Sequence, residues 1–149
     1  MTDDELLAQA IDQARIGLAE GGIPIGAVLI HEGKTLASGR NRRVQQGSAI
    51  LHGETDCLEN VGRLPASVYA HSTMVTTLSP CDMCTGAILL YGIPRVVIGE
   101  NRNFLGGEEL LKSRGVEVVV LDSAECVEMM GSFIAAEPAL WNEDIGRLG

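Results

Sequence analysis

An α/β domain with helices on both faces of a mixed sheet is predicted by three features of the chain. Apolar residues recur at helical spacing near the N-terminus. Two short runs flanking Glu32-Gly33 read as a β-hairpin. Beyond them, helical and β-branched segments alternate, the pattern of strands joined by crossover helices. The 149 residues suffice for one domain with a real core, 1–149, and no repeat, low-complexity tract or linker divides them.

Each element has its own signal. Thr2 with Glu5 forms a capping box ahead of Leu6, Leu7, Ala10, Ile11, Ala14 and Leu18, and Gly21-Gly22 stops that helix. Gly26 to Ile30 is an apolar run, Glu32-Gly33 a turn, and Thr35 to Ser38 the return strand. Arg40 to Ala49 is polar and reads as loop. His52 to Val61 reads as a helix ended by Gly62, and Met74 to Leu78 as a strand. Pro80 opens a second central helix, Cys81 to Leu90, closed near Gly92 and Pro94. Then follow a strand, Arg95 to Gly99, a short helix, Glu108 to Ser113, and a strand, Val116 to Leu121. Ala124 to Ala135 reads as a helix, and Pro138 starts a last short segment to Gly149.

The composition narrows the function. Aromatics are only 3% of residues, so aliphatic side chains must fill the core and any aromatic beside a polar motif stands out. The net charge is −9, and the densest basic cluster is Arg40, Arg42 and Arg43. Phosphate-binding surfaces carry longer basic stripes, so a small neutral substrate is expected and nucleic acid is not. Met1 to Leu7 is acidic, with no apolar signal region, and no run approaches the length of a membrane span. A reduced, cytoplasmic protein with free thiols and no membrane partner is therefore expected.

Two stretches carry the chemistry: His52-Gly53-Glu54 and Pro80-Cys81-Asp82-Met83-Cys84. His52, Cys81 and Cys84 offer an imidazole and two thiolates, a donor set for tetrahedral zinc that leaves a fourth corner for water. The spacing of Cys81 and Cys84 puts both sulfurs on one helix face, and a helix start after Pro80 favours their thiolate forms. Glu54 is not needed as a ligand. A carboxylate beside an activated water can take its proton and pass it on. Alone, the C-x-x-C pair would equally suit a redox couple or half of a structural zinc site completed by Cys57 or Cys126. Cys57, one turn after His52, reads instead as a packed small hydrophobe. His31 and His71 fall in turn or loop regions and read as solvated. Together the two stretches reproduce the H-x-E…P-C-x-x-C signature known for zinc deaminases.

Through these motifs, and through GGIPIGAVLI, TTLSPCDMCTGAILLYGIPRVVIGENRNF and EDIG around them, the chain resembles the cytidine deaminase-like superfamily. Within it the closest likeness is to the cytosine deaminases of the yeast type. The resemblance implies a three-layer α/β/α fold with a mixed five-stranded sheet, and a homodimer. It implies one catalytic Zn2+ per chain on His52, Cys81 and Cys84 with water as fourth ligand, and Glu54 as proton shuttle. It places Asn41 on the substrate ring, Ile25, Phe104 and Trp141 as apolar walls, and Asp144 near the leaving amino group. The segment from Pro138 onward becomes a lid. Two positions depart from the pattern: Asn142 stands where an aromatic is usual, and Ile50 where a threonine is. Asn142 is accordingly expected to touch the substrate and bear on the choice of base.

The expected activity is hydrolysis of free cytosine to uracil and ammonia, a step of pyrimidine metabolism. Alternatives are another amino-heterocycle such as isocytosine or guanine, or a tRNA adenosine deaminase, which would need a basic surface. A zinc-stabilised module without activity would have no use for Glu54.

Overall fold

The computed structural model describes residues 1–149. A five-stranded mixed sheet lies at its centre, in the order β2-β1-β3-β4-β5. The strands are β1 (Gly26–His31), β2 (Lys34–Arg40), β3 (Ser72–Leu78), β4 (Arg95–Glu100) and β5 (Glu117–Val120). β1 runs antiparallel to both β2 and β3, whereas β3, β4 and β5 are mutually parallel. Glu32-Gly33 is the two-residue turn of the hairpin, with His31 opposite Lys34.

Alternation along the strands divides the core between two faces. Ala27, Leu29, Met74, Val96 and Ile98 point to one face, under α3 (Gly53–Val61), α5 (Asp82–Leu90) and α6 (Glu108–Ser113). Val28, Ile30, Val75 and Val97 point to the other, under α1 (Asp3–Ala19) and α7 (Ala124–Ala136). The helices cover both faces, as the alternating pattern requires. A third cluster, Ile23, Ile25, Leu78, Met130, Phe133 and Trp141, sits at the end of the sheet beneath α8 (Pro138–Asp144). No helix is long and apolar enough to cross a membrane.

Most elements fall where the sequence puts them, including the Thr2–Glu5 capping box on α1. Two do not. α2 (Arg43–Gln46) lies inside the stretch read as loop, and α4 (Ala66–Tyr69) precedes β3. Each is a single turn with no side-chain cap, too short to show a helical period.

One contact fixes α3 on the sheet. Gly39 in β2 faces the first turns of that helix so closely that an added Cβ would collide with the Cys57 amide nitrogen. It would also lie 2.7 Å from the Gly53 carbonyl oxygen. These are backbone atoms of a buried helix and cannot swing aside. Gly39→Ala is therefore expected to lift α3 and destabilise the protein by about 1–3 kcal/mol, the usual cost of overpacking. Urea unfolding of the two proteins measures this, and an unchanged midpoint would show that α3 is free to shift.

Candidate active site

The site forms at the sheet edge where β3 and β4 end and β1 begins. His52 is the N-cap of α3 and Cys81 the N-cap of α5, both with extended backbone. The His52 amide donates to Thr55 Oγ1 (2.8 Å), whose hydroxyl donates to the Ile50 carbonyl (2.5 Å). That turn holds the imidazole at the helix start. On the other side, the Thr85 amide donates to the Cys81 carbonyl (2.8 Å), and Cys84 lies buried one turn into α5.

Both imidazole nitrogens are engaged. Nδ1 lies 3.3 Å from Cys81 Sγ. Nε2 lies 3.2 Å from Asp144 Oδ1 but off the N–H axis, a charge contact rather than a directed hydrogen bond. The Asp144 carboxylate is almost wholly buried and gathers three more contacts. Arg43 Nε donates at 2.8 Å, and Asn41 Nδ2 donates to both oxygens at 3.1 and 3.2 Å. Asn41 Oδ1 in turn accepts the Arg43 amide (2.9 Å).

The donor atoms of His52, Cys81 and Cys84 lie within 4.8 Å of one another, the one such group in the chain. A tetrahedral zinc with bonds of about 2.0–2.3 Å spaces its ligands at roughly 3.5–3.8 Å, so the three close onto one ion with small adjustments. A carboxylate behind the ligating imidazole is the usual outer partner at such sites. Cys57 and Cys126 stand apart and buried, and burial first, with Asp56 adding, pushes the Cys57 thiol to about 12. The structure thus makes Cys57 a packing residue. His71 is exposed and His31 half-buried at the far end of β1.

The protein groups are strongly polarised. The Cys84 thiol lowers Cys81 to about 4 against the effect of burial, and His52 adds to the lowering. The same pairing, with burial, holds Cys84 well above its ordinary value. Burial alone would depress His52, but Asp144 and Cys81 outweigh it and raise it to about 10. Burial also opposes ionisation of Asp144, yet His52, Arg43 and Asn41 together hold it below its usual value. Burial acts most strongly on Glu54, and the neighbouring Cys81 charge repels its own, together outweighing the pull of His52. The Glu54 carboxyl rises to about 7.

Around these groups lies a small cavity walled by Ile25, Leu78, Phe104, Trp141 and Ile145. His52, Glu54, Ser79, Cys81 and Asp144 supply its polar lining. Phe104 and Trp141 meet edge to face, their centroids 5.8 Å apart. The structure therefore brings Ile25, His52, Glu54, Cys81, Phe104, Trp141 and Asp144 to one space, with Cys84 beneath. It does not bring Asn142 there. Trp141, Asp144 and Ile145 share one face of α8, while Asn142 is turned about 100° from Trp141. Asn142 is half-buried off the cavity, its carbonyl accepting the Arg147 amide. Asn41 is fully buried one layer back, against Asp144 rather than in the lining. Ile50 is exposed and contributes its backbone only. Ser79 and Ile145 have no role in the sequence analysis, where Arg43 figures only in the basic cluster. Ser79 was within reach as the residue before Pro80-Cys81, and Ile145 by its helical offset from Trp141.

Known proteins resemble the chain in sequence and in fold. The family model for the cytidine and deoxycytidylate deaminase zinc-binding region matches residues 1–100. A cytosine deaminase of Candida albicans is 57% identical over 146 residues, 97% of each chain. A tRNA-specific adenosine deaminase of Streptococcus pyogenes is 29% identical over 137 residues, 85% of this chain and 86% of that one. The solved guanine deaminase from Nitrosomonas europaea has a TM-score of 0.68 at 21% identity, over 87% of this chain and 83% of that one. That last likeness is one of fold.

The polarised ligands give zinc binding a proton signature. At pH 7 to 8, Cys81, lowered to about 4, is already a thiolate, while Cys84 and His52, raised well above and to about 10, still carry protons. Zinc must displace both, so adding zinc to the stripped protein in weak buffer is expected to release about two ligand protons per ion. Affinity for the ion should fall as pH falls. An indicator-dye titration showing no release would contradict the ligand assignment.

Proposed function

The chain belongs to the cytidine and deoxycytidylate deaminase family, and on that premise we propose that it hydrolyses free cytosine to uracil and ammonia. The observation that carries this reading is a buried carboxylate, Glu54, lining the same cavity as His52 and Cys81 beneath the Phe104–Trp141 contact. The cavity lining, apolar walls with a few convergent polar groups, is that of a small-molecule site.

Zinc held by His52, Cys81 and Cys84 supplies Lewis acidity, making water a nucleophile near neutral pH. The chain's own residues do the rest. Glu54 takes a proton from the attacking water and delivers it to ring N3, as the oxygen bonds to C4. It then carries the second proton from that oxygen to the exocyclic nitrogen. The C4–N bond breaks, ammonia leaves, and the ring is uracil. A carboxyl that burial pushes upward suits a group that both accepts and donates. Ile25, Phe104 and Trp141 exclude bulk water, while Asp144 faces the leaving amino group and steadies His52. Asn41 acts through Asp144. The segment from Pro138 onward closes the cavity as its lid.

The basic cluster does not offer a nucleic-acid surface. Arg40 pairs with Glu20 (2.9 Å), Arg42 with Asp56 (3.2 Å) and Arg43 with Asp144 (2.8 Å). This supports a small neutral substrate over tRNA. The proposal extends to one zinc per chain with water as the fourth ligand, and to a single domain. It also includes pyrimidine metabolism in a cytoplasmic setting, which four free cysteines suit. A homodimer belongs to it too, supported by Leu90 and Tyr91, exposed side by side at the end of α5.

Two measurements test the reading. Zinc-loaded protein given cytosine, cytidine, isocytosine and guanine should release ammonia from cytosine and not from cytidine. Glu54→Gln should keep its zinc and lose about a hundred- to ten-thousand-fold in kcat, the usual contribution of a placed proton carrier. Near-normal turnover by that variant would remove Glu54 from its role.

A further inference from the structure

Glu108 is a buried carboxylate that the mechanism does not use. It stands at the start of α6, only 4% exposed, and neither of its hydrogen bonds comes from a cation. Oε2 accepts the Ser79 hydroxyl at 2.6 Å, and Oε1 accepts Asn101 Nδ2 at 3.2 Å. A carboxyl hidden from water without a cation is costly to keep, so its contacts are informative.

Both contacts lead to the site. Ser79 lines the cavity and immediately precedes Pro80-Cys81. Asn101 opens the loop that carries Phe104. The two segments are joined directly as well. The Gly106 amide donates to Ser79 Oγ (2.9 Å), so the hydroxyl relays the loop backbone to Glu108. The Gly107 amide donates to the Pro80 carbonyl (2.9 Å). Any side chain at Gly106 would run into that same carbonyl, so the loop lies backbone against backbone on the turn before Cys81.

We propose that Glu108 is a positioning residue for the reaction: through Ser79 and Asn101 it holds the Phe104 loop against the Cys81 turn and so sets the width of the cavity. The inference rests on the reading of the site as a base pocket. Glu108 touches no substrate. It acts through the edge-to-face contact of Phe104 with Trp141, which a loosened loop would open. Short hydroxyl-to-carboxylate bonds are among the stronger ones, and they fix a loop that has no regular structure of its own.

The test uses the zinc-loaded protein, whose sole tryptophan is Trp141. Glu108→Ala is expected to retain zinc, shift the substrate-free tryptophan emission to the red and lower kcat/KM for cytosine about tenfold to a hundredfold, mostly through KM. Displaced positioning groups have effects of that size. Glu108→Gln keeps an oxygen for Ser79 and should restore both readouts to near the unaltered protein. Should Glu108→Ala fail to fold, Asn101→Ala cuts the other contact without touching the cavity, and should move emission and KM in the same direction. A lower melting temperature with emission and KM unmoved, in whichever variant folds, would reduce Glu108 to a packing residue and overturn the proposal. If the unaltered protein turns over no cytosine, the substrate reading fails, while the emission comparison still decides the role of Glu108.

Discussion

His52 and Cys81 are both helix N-caps, and their side chains approach to 3.3 Å because two helices begin at the same edge of the sheet. α5 starts where parallel β3 ends. α3 follows β2, whose antiparallel pairing with β1 brings it back to that edge. The close approach of β2 to α3 at Gly39 sets the height at which His52 arrives. Helix starts present free amides and a partial positive charge, which favours thiolates. The mixed strand directions therefore do more than bury a core. They bring an imidazole from one helix start to two thiols of another, and the remaining features of the site follow from that meeting.

Much of this was readable from the sequence, and the failures have physical causes. The capping box, the Glu32-Gly33 turn and the alternation of strand and helix depend on local chemistry, and each appears as expected. The donor atoms of His52, Cys81 and Cys84 also come together, within 4.8 Å of one another. The single-turn helices α2 and α4 carry no period long enough to be seen. Asn142 draws attention because the resemblance has an aromatic there, yet helical geometry puts residues three and four positions on beside Trp141 and turns the next one away. The contact of Asn41 with Asp144 spans 103 positions, and no local pattern encodes it. The sequence likeness pointed to both residues as substrate contacts; the structure shows that they are first of all partners of each other.

The same long-range pairing settles what the arginines do. Three arginines within four positions look like a basic patch in the sequence, yet each meets a carboxylate from a different element. In an acidic chain such pairing consumes the positive charge locally. Arg43 is spent on Asp144, at the inner end of the C-terminal helix, so the cluster works as a set of ties between elements rather than as an outward-facing surface.

Four buried acidic side chains surround the site, and their environments separate their tasks. Glu100 accepts the amides of Arg102 and Asn103, and Glu108 accepts Ser79 and Asn101; both are occupied in shaping the Phe104 loop. Asp144 has two cationic neighbours and is held ionised, below its ordinary pKa. Glu54 accepts no hydrogen bond from a cation, and burial with the Cys81 charge outweighs His52 and raises it to about 7. A carboxylate locked in its charged form can orient an imidazole but cannot trade protons near neutral pH. One poised at about 7 can do so in both directions. On the proposed mechanism, two carboxyls driven apart in this way divide the work, one fixed and one mobile in its proton. Of the four, Glu54 and Asp144 line the cavity, and burial drives Glu54 upward while its partners hold Asp144 down.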